Sequence, residues 1–133
     1  MTGPILFISH FAVKEGKLDA LRQLARDVTH SLEKKKPRTL AYGAYLAEDG
    51  AQVSFIHVFA DASSMDEHFE GAEERSRVAY ELVEARGWEI YGEPSQPALQ
   101  AMRQAASSAG VSLVHHPDDM AGFLRLGSGS TPA

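Results

Sequence analysis

VSFIHVFADASSMDEHF, residues 53–69, reads as strand, turn and helix in succession, and the rest of the chain organises around it. Residues 53–59 are rich in β-branched and aromatic side chains, the composition of a strand with a buried face. Residues 61–64 supply turn and helix-cap chemistry, and Met65 with Phe69 has the i, i+4 spacing of an amphipathic helix. His68 stands one position from that apolar stripe, so its imidazole is offered either to a pocket or to solvent.

Upstream, residues 5–12 alternate. Ile5, Phe7, Ser9 and Phe11 share one face and Leu6, Ile8, His10 and Ala12 the other, which predicts a first strand. Gly16 and Asp19 mark the start of a stripe of Leu18, Leu21, Leu24, Ala25, Val28 and Leu32, one buried helix face that Pro37 brings to an end. Residues 39–46 and 52–59 form two strands joined across 47–51, where Asp49-Gly50 is a hairpin signal.

Downstream, residues 63–85 predict a helical region broken near Gly71, with Val78, Ala79, Leu82 and Val83 buried in its later part. Residues 88–91 form a fourth strand between Gly87 and Gly92-Glu93-Pro94. The order βαββαβ predicts an α+β fold, the ferredoxin-like split βαβ arrangement with an antiparallel sheet. Residues 1–94 make that unit. Residues 95–126 extend the same domain with a helix over 97–109, closed by Gly110, and two short strands over 111–114 and 123–126; residues 127–133 form a flexible Gly/Ser tail. Both faces of the sheet are apolar while two helices cover only one, so the other is expected to pack against a second copy in an isologous homodimer.

Composition narrows the function. A chain of 133 residues fits one domain. Acidic side chains outnumber basic ones 18 to 13 for a net charge of -5, which argues against the basic face that nucleic acid requires. The basic run Lys34-Lys35-Lys36 complements the end of a helix dipole. With no cysteine, disulfides, thiolate metal sites and a cysteine nucleophile are excluded. No segment reaches the roughly 20 apolar residues of a membrane span, and no charged n-region precedes the first apolar run. A soluble cytoplasmic protein is expected, with no membrane or nucleic-acid partner.

Four stretches in this order and spacing resemble the antibiotic biosynthesis monooxygenase-like domains of the dimeric α/β-barrel superfamily. They are the first strand running into Val13-Lys14-Glu15-Gly16-Lys17, the strand Ala41-Tyr42-Gly43-Ala44-Tyr45, Phe55-Ile56-His57-Val58-Phe59 before Ala60-Asp61, and Met65-Asp66-Glu67-His68-Phe69. The resemblance spans about residues 5–93. It implies a dimer with a small-molecule pocket between helices and sheet in each subunit, a histidine at the His68 position, and a family of cofactor-independent oxygenases, haem-degrading enzymes and isomerases. Two departures matter. Ser9, His68 and Val78 stand where the haem-degrading branch carries asparagine, tryptophan and a haem-ligating histidine, which disfavours haem degradation; His57 and Phe59 replace a glutamate and a tryptophan frequent in the family.

His68 is the candidate catalytic residue, a base or hydrogen-bonding group that titrates near neutral pH. Ser9, Tyr42, Tyr45, His57 and Phe69 are candidate substrate-binding residues, with alternation allowing at most one of the two tyrosines into a given cavity. His10 and His57 each read also as buried histidines satisfied by one local partner. His115-His116-Pro117-Asp118-Asp119 reads as an exposed connection, and Glu70, Glu73, Glu74, Arg75 and Arg77 as a solvated helix face. No cofactor or metal is expected. The reading that follows is a cofactor-independent monooxygenase-like enzyme acting on a small aromatic, quinol-type or enolisable molecule; a non-catalytic binding or accessory dimer and an isomerase on the same scaffold are the alternatives.

Overall fold

The alternation in the first segment builds the centre of a sheet. In the computed structural model, which describes residues 3–125, β1 (Ile5–Val13) pairs antiparallel with both β3 (Gln52–Phe59) and β4 (Val83–Tyr91). β2 (Thr39–Leu46) lies outside β3, joined to it by the Asp49-Gly50 turn, in which Asp49 accepts a hydrogen bond from the Ala51 amide. The predicted ferredoxin-like order is present, with α1 (Leu18–Lys35) after β1 and a helical segment after β3.

That segment divides at Gly71, whose φ of 81° lies in the left-handed region, into α2 (Ala62–Phe69) and α3 (Ala72–Ala79). The division re-phases α3. Val78, expected to be buried, is 47% exposed, because Ala72, Arg75, Ser76 and Ala79 form the inward face instead. The helix also stops short of its expected end: Leu82 packs beside the sheet, and β4 starts at Val83, opposite Val13, where pairing with β1 outweighs local helical pattern.

Beyond the four-stranded unit, α4 (Gln96–Ala109) is capped by Ser95, and its terminal Gly110 takes a φ of 70°. The helix serves as a crossover from β4 to β5 (Ser112–His116), so β5 returns parallel to β4 and the sheet is mixed, in the order β2-β3-β1-β4-β5. This corrects two expectations. His115 and His116 belong to a strand rather than a connection, with His115 against the Gly92 carbonyl and His116 stacked on Tyr91. Residues 123–125 form no strand; residue 126 and the tail over 127–133 lie outside the described residues.

The helices pack on the face of Ile5, Phe7, Ser9 and Phe11. One core cluster joins Ile5, Phe7, Phe59, Met65, Ile90 and Ala106, and another joins Leu21, Val53 and Val83. On the opposite face Leu6, Ile8, Ile56 and Val58 are half-buried around a polar knot in which His10 bridges Ser54 and Glu89 and Tyr91 donates to Glu89. His10 therefore belongs to the outer face. Among the described residues no helix is long and apolar enough to cross a membrane.

Candidate functional site

Cross-strand register assembles the floor of the site. Phe7 on β1 stands opposite His57 on β3, and His57 stands opposite Tyr42 on β2. In the next row of the same face, Ser9 lies between Phe55 and Trp88. Directly paired residues project from one face of a sheet, so two rows contributed by four strands converge beneath a cavity of about 560 Å³. Three helices wall it: α1 through Leu24, Ala25 and Val28, α3 through Arg75 and Ser76, and α4 through Ala98, Ala101 and Met102.

Local chemistry at the β3–α2 junction places His68. Asp61 caps α2, its Oδ1 accepting hydrogen bonds from the Ser64 amide and hydroxyl at 2.8 Å each. Met65, fully buried, anchors the helix in the core, and the following turn swings His68 and Phe69 over His57. The last carbonyls of α2 are held by cations, as the helix dipole favours. Arg75 Nη2 donates to the His68 carbonyl at 2.8 Å, and Lys36 Nζ donates to those of Glu67 and Glu70 at 2.8 and 3.1 Å.

The two imidazoles are fixed differently. His57 Nδ1 lies 3.2 Å from the Phe7 carbonyl, and a carbonyl only accepts, so Nδ1 carries the proton and Nε2 keeps a free lone pair. His68 Nδ1 shares a 2.6 Å hydrogen bond with the Thr39 hydroxyl, which also leaves Nε2 free. Ser9, His57 and His68 are only 5%, 6% and 2% exposed. Their Oγ and Nε2 atoms, and the Tyr42 hydroxyl, have no hydrogen-bonding partner among the described residues, yet no fully buried side-chain nitrogen or oxygen there lacks one. These atoms are accordingly open to the cavity that their residues line.

Burial sets the charge state. It drives His57 down to about 4, with Arg75 adding to the effect against the Phe7 carbonyl, and drives His68 down to about 3, with help from His57, Arg75 and Lys36. Both imidazoles are neutral at neutral pH. Burial pushes Tyr42 up to about 12 although Arg75 opposes it, so the phenol is a hydrogen-bond donor. Arg75 is lowered by burial and remains the one charge shared by these three groups. The centroids of His57 and His68 are 5.1 Å apart, as are those of Tyr42 and His57. A ligand between them would meet a lone pair, a phenolic donor and a guanidinium on walls that are otherwise largely apolar, with Ser9, Glu73 and Ser76 as the remaining polar groups.

Ser9, Tyr42, His57, His68 and Phe69 all line this cavity, whereas Tyr45 does not: alternation turns it away, and it is 64% exposed. Glu73 and Arg75, assigned to a solvated helix face on sequence, line the cavity as well, Arg75 half-buried and Glu73 exposed at its rim. The signal for Arg75 was the seven-residue spacing from His68, masked by the helix break between them. Among the described residues no group of three or more histidines and carboxylates converges as a metal site would need.

No protein-family model matches the sequence, and no curated protein matches it. Solved structures do. MupZ from Pseudomonas fluorescens superposes with a TM-score of 0.70 at 19% identity, covering 98% of this chain and 99% of that one. A Caulobacter crescentus protein provisionally named an antibiotic biosynthesis monooxygenase gives 0.58 at 13% identity over 67% of this chain and 86% of its own. Rv0793 from Mycobacterium tuberculosis gives 0.56 at 17% identity over 71% and 98%. Likeness at these identities establishes the fold, which is the antibiotic biosynthesis monooxygenase-like fold. The match to MupZ runs through nearly the whole chain, whereas the other two leave about a third of it uncovered.

Proposed function

We propose that the protein is a cofactor-independent oxygenase acting on a small aromatic, quinol-type or otherwise enolisable molecule. The observation that carries this reading is the convergence of the free His57 and His68 nitrogens, the Tyr42 hydroxyl and the Arg75 guanidinium on one apolar cavity. His57 Nε2, with its lone pair fixed by the Phe7 carbonyl, takes the substrate proton. Tyr42 and Arg75 stabilise the resulting enolate or phenolate. His68, held by Thr39, positions the substrate oxygen. The electron-rich anion then reduces dioxygen, one atom of which enters the substrate as a carbonyl while the other leaves as water with two substrate hydrogens, both from the methylene carbon of an enolisable ketone or one from the ring carbon and one from the hydroxyl of a phenol.

A base held neutral by burial takes a proton readily only when an anion forms beside it. The arrangement therefore favours substrates whose hydroxyl or methylene is already acidified by conjugation to a ring or carbonyl. Oxygen uptake with a panel of quinols and anthrone-like ketones tests this. Wild type is expected to consume oxygen, and His57→Gln and His68→Asn to be slower by about 10²-fold or more. Uptake at the wild-type rate in both variants removes the histidines from the mechanism. Anaerobic incorporation of solvent deuterium into the same compounds, without oxygen uptake in air, would favour the isomerase; neither reaction would favour the binding module.

The open sheet face supports a second proposal, an isologous homodimer in which Leu6, Ile8, Ile56 and Val58 of two copies pack together. Sedimentation at micromolar concentration is expected to give a dimer. A monomer at that concentration rules the arrangement out.

A further inference from the structure

The cavity is one of two spaces that share a wall. Between β4, the end of α4 and the turn leading into β4 runs an open groove of about 1060 Å³. Tyr80, Trp88 and Ala105 line both the groove and the cavity, so the inner space adjoins the outer one at these three side chains. Trp88 stands beside Ser9 on the sheet, at the edge of the polar rows, and beside Leu113 of β5 on its other side. Ala105 offers only a methyl group there, as do Ala98 and Ala101 along the same helix, with Met102 among them.

Groove and cavity differ in chemistry. The inner walls are aromatic and aliphatic around the His57–His68 pair, whereas the groove is lined by Lys14, Glu84, Arg86, Ser108 and Ser112. Arg86 is there because the β1–β4 register slips between His10 and Phe11: His10 pairs with Gly87 and Phe11 with Ala85, leaving Arg86 as an extra residue. Bulges of this kind re-aim side chains beside functional sites. Arg86 is partly balanced by Glu84 at 3.2 Å, while Lys14 donates to the Tyr80 carbonyl at 2.8 Å. The groove is thus hydrophilic with a small positive excess.

Resting on the function proposed above, we infer that cavity and groove form one binding channel and that the substrate is an elongated amphiphile. Its enolisable or phenolic head occupies the chamber of His57, His68 and Tyr42. An aliphatic chain passes between Tyr80, Trp88 and Ala105, and a polar end lies near Lys14 and Arg86. A cavity of about 560 Å³ suits a single- or fused-ring head, and the groove is the space that such a head leaves for a chain.

Trp88 is the only tryptophan in the chain, so its fluorescence reports on the junction directly. Phenol, para-propylphenol and para-hexylphenol are titrated against wild type, His57→Gln and Ala105→Phe. In wild type, affinity is expected to rise about threefold for each added methylene, somewhat less than full burial of each group would give. His57→Gln keeps this slope, which separates the channel from the chemistry. Ala105→Phe fills the junction and, relative to its own affinity for phenol, loses most of the chain-length gain. A flat series in wild type, a gain that survives in Ala105→Phe, or no saturable quenching by any member overturns the channel, and oxygen uptake by wild type would leave the proposed function standing in each case.

Discussion

Between pH about 6.5 and about 4.5, the protein is expected to lose stability steeply as pH falls, with a slope approaching 3 kcal/mol per pH unit. His57 and His68 are buried neutral, so each folded pKa lies below the 6.5 of a free imidazole, at about 4 and about 3. In this window the unfolded chain binds up to two protons that the native state refuses. The stabilisation is fully present above about 6.5 and disappears as pH falls toward the folded values. Native carboxylates such as Asp61 and Glu89 are themselves held low and add their effect only at more acidic pH. Urea midpoints measured across the window check this. The double variant His57→Gln, His68→Asn should show a much shallower dependence, and a slope equal to wild type would mean that the histidines are not buried neutral.

The same pair shows where sequence reading stopped. Period-two alternation in residues 5–12, the Asp49-Gly50 turn and the strand–turn–helix at residues 53–69 were enough for the split βαβ order, because each is a local pattern with a local cause. Alternation also put Ser9 with Phe7 and Phe11 and separated Tyr42 from Tyr45, both as found. What alternation cannot supply is register. That Tyr42, His57 and Phe7 form one row follows from pairings between strands distant in sequence, and the hydrogen bond that fixes the His57 lone pair comes from Phe7, 50 residues away. The parallel β5 escaped for a related reason: its direction is dictated by the α4 crossover, not by its own residues. Arg75 was lost among charged neighbours on a short helix whose phase only the Gly71 break determines.

Arg75→Met is expected to lower oxygen turnover by about 10²-fold or more, while affinity for a substrate-like phenol falls far less. Two independent consequences make this prediction severe. The guanidinium adds to the effect of burial on both histidines, so in the variant both should titrate at somewhat higher pH, and the acid-induced loss of stability should become somewhat shallower. It also lowers Tyr42 against the effect of burial, so the phenol should become still harder to ionise. A residue acting only as a clamp on the α2 carbonyls, through its bonds to the His68 and Glu70 oxygens, would lose stability on substitution at every pH and leave the ratio of turnover to binding unchanged. Arg75→Lys discriminates further: it keeps the charge and should restore the part of the histidine shift that the charge supplies, but it lacks the planar fork that reaches two carbonyls while facing the ligand. Ring-proton titration of His57 and His68 by NMR, set beside oxygen uptake in both variants, provides the measurement. Unchanged histidine titration in Arg75→Met would remove the guanidinium from the site's electrostatics, and with it the stabilised anion on which the proposed chemistry depends.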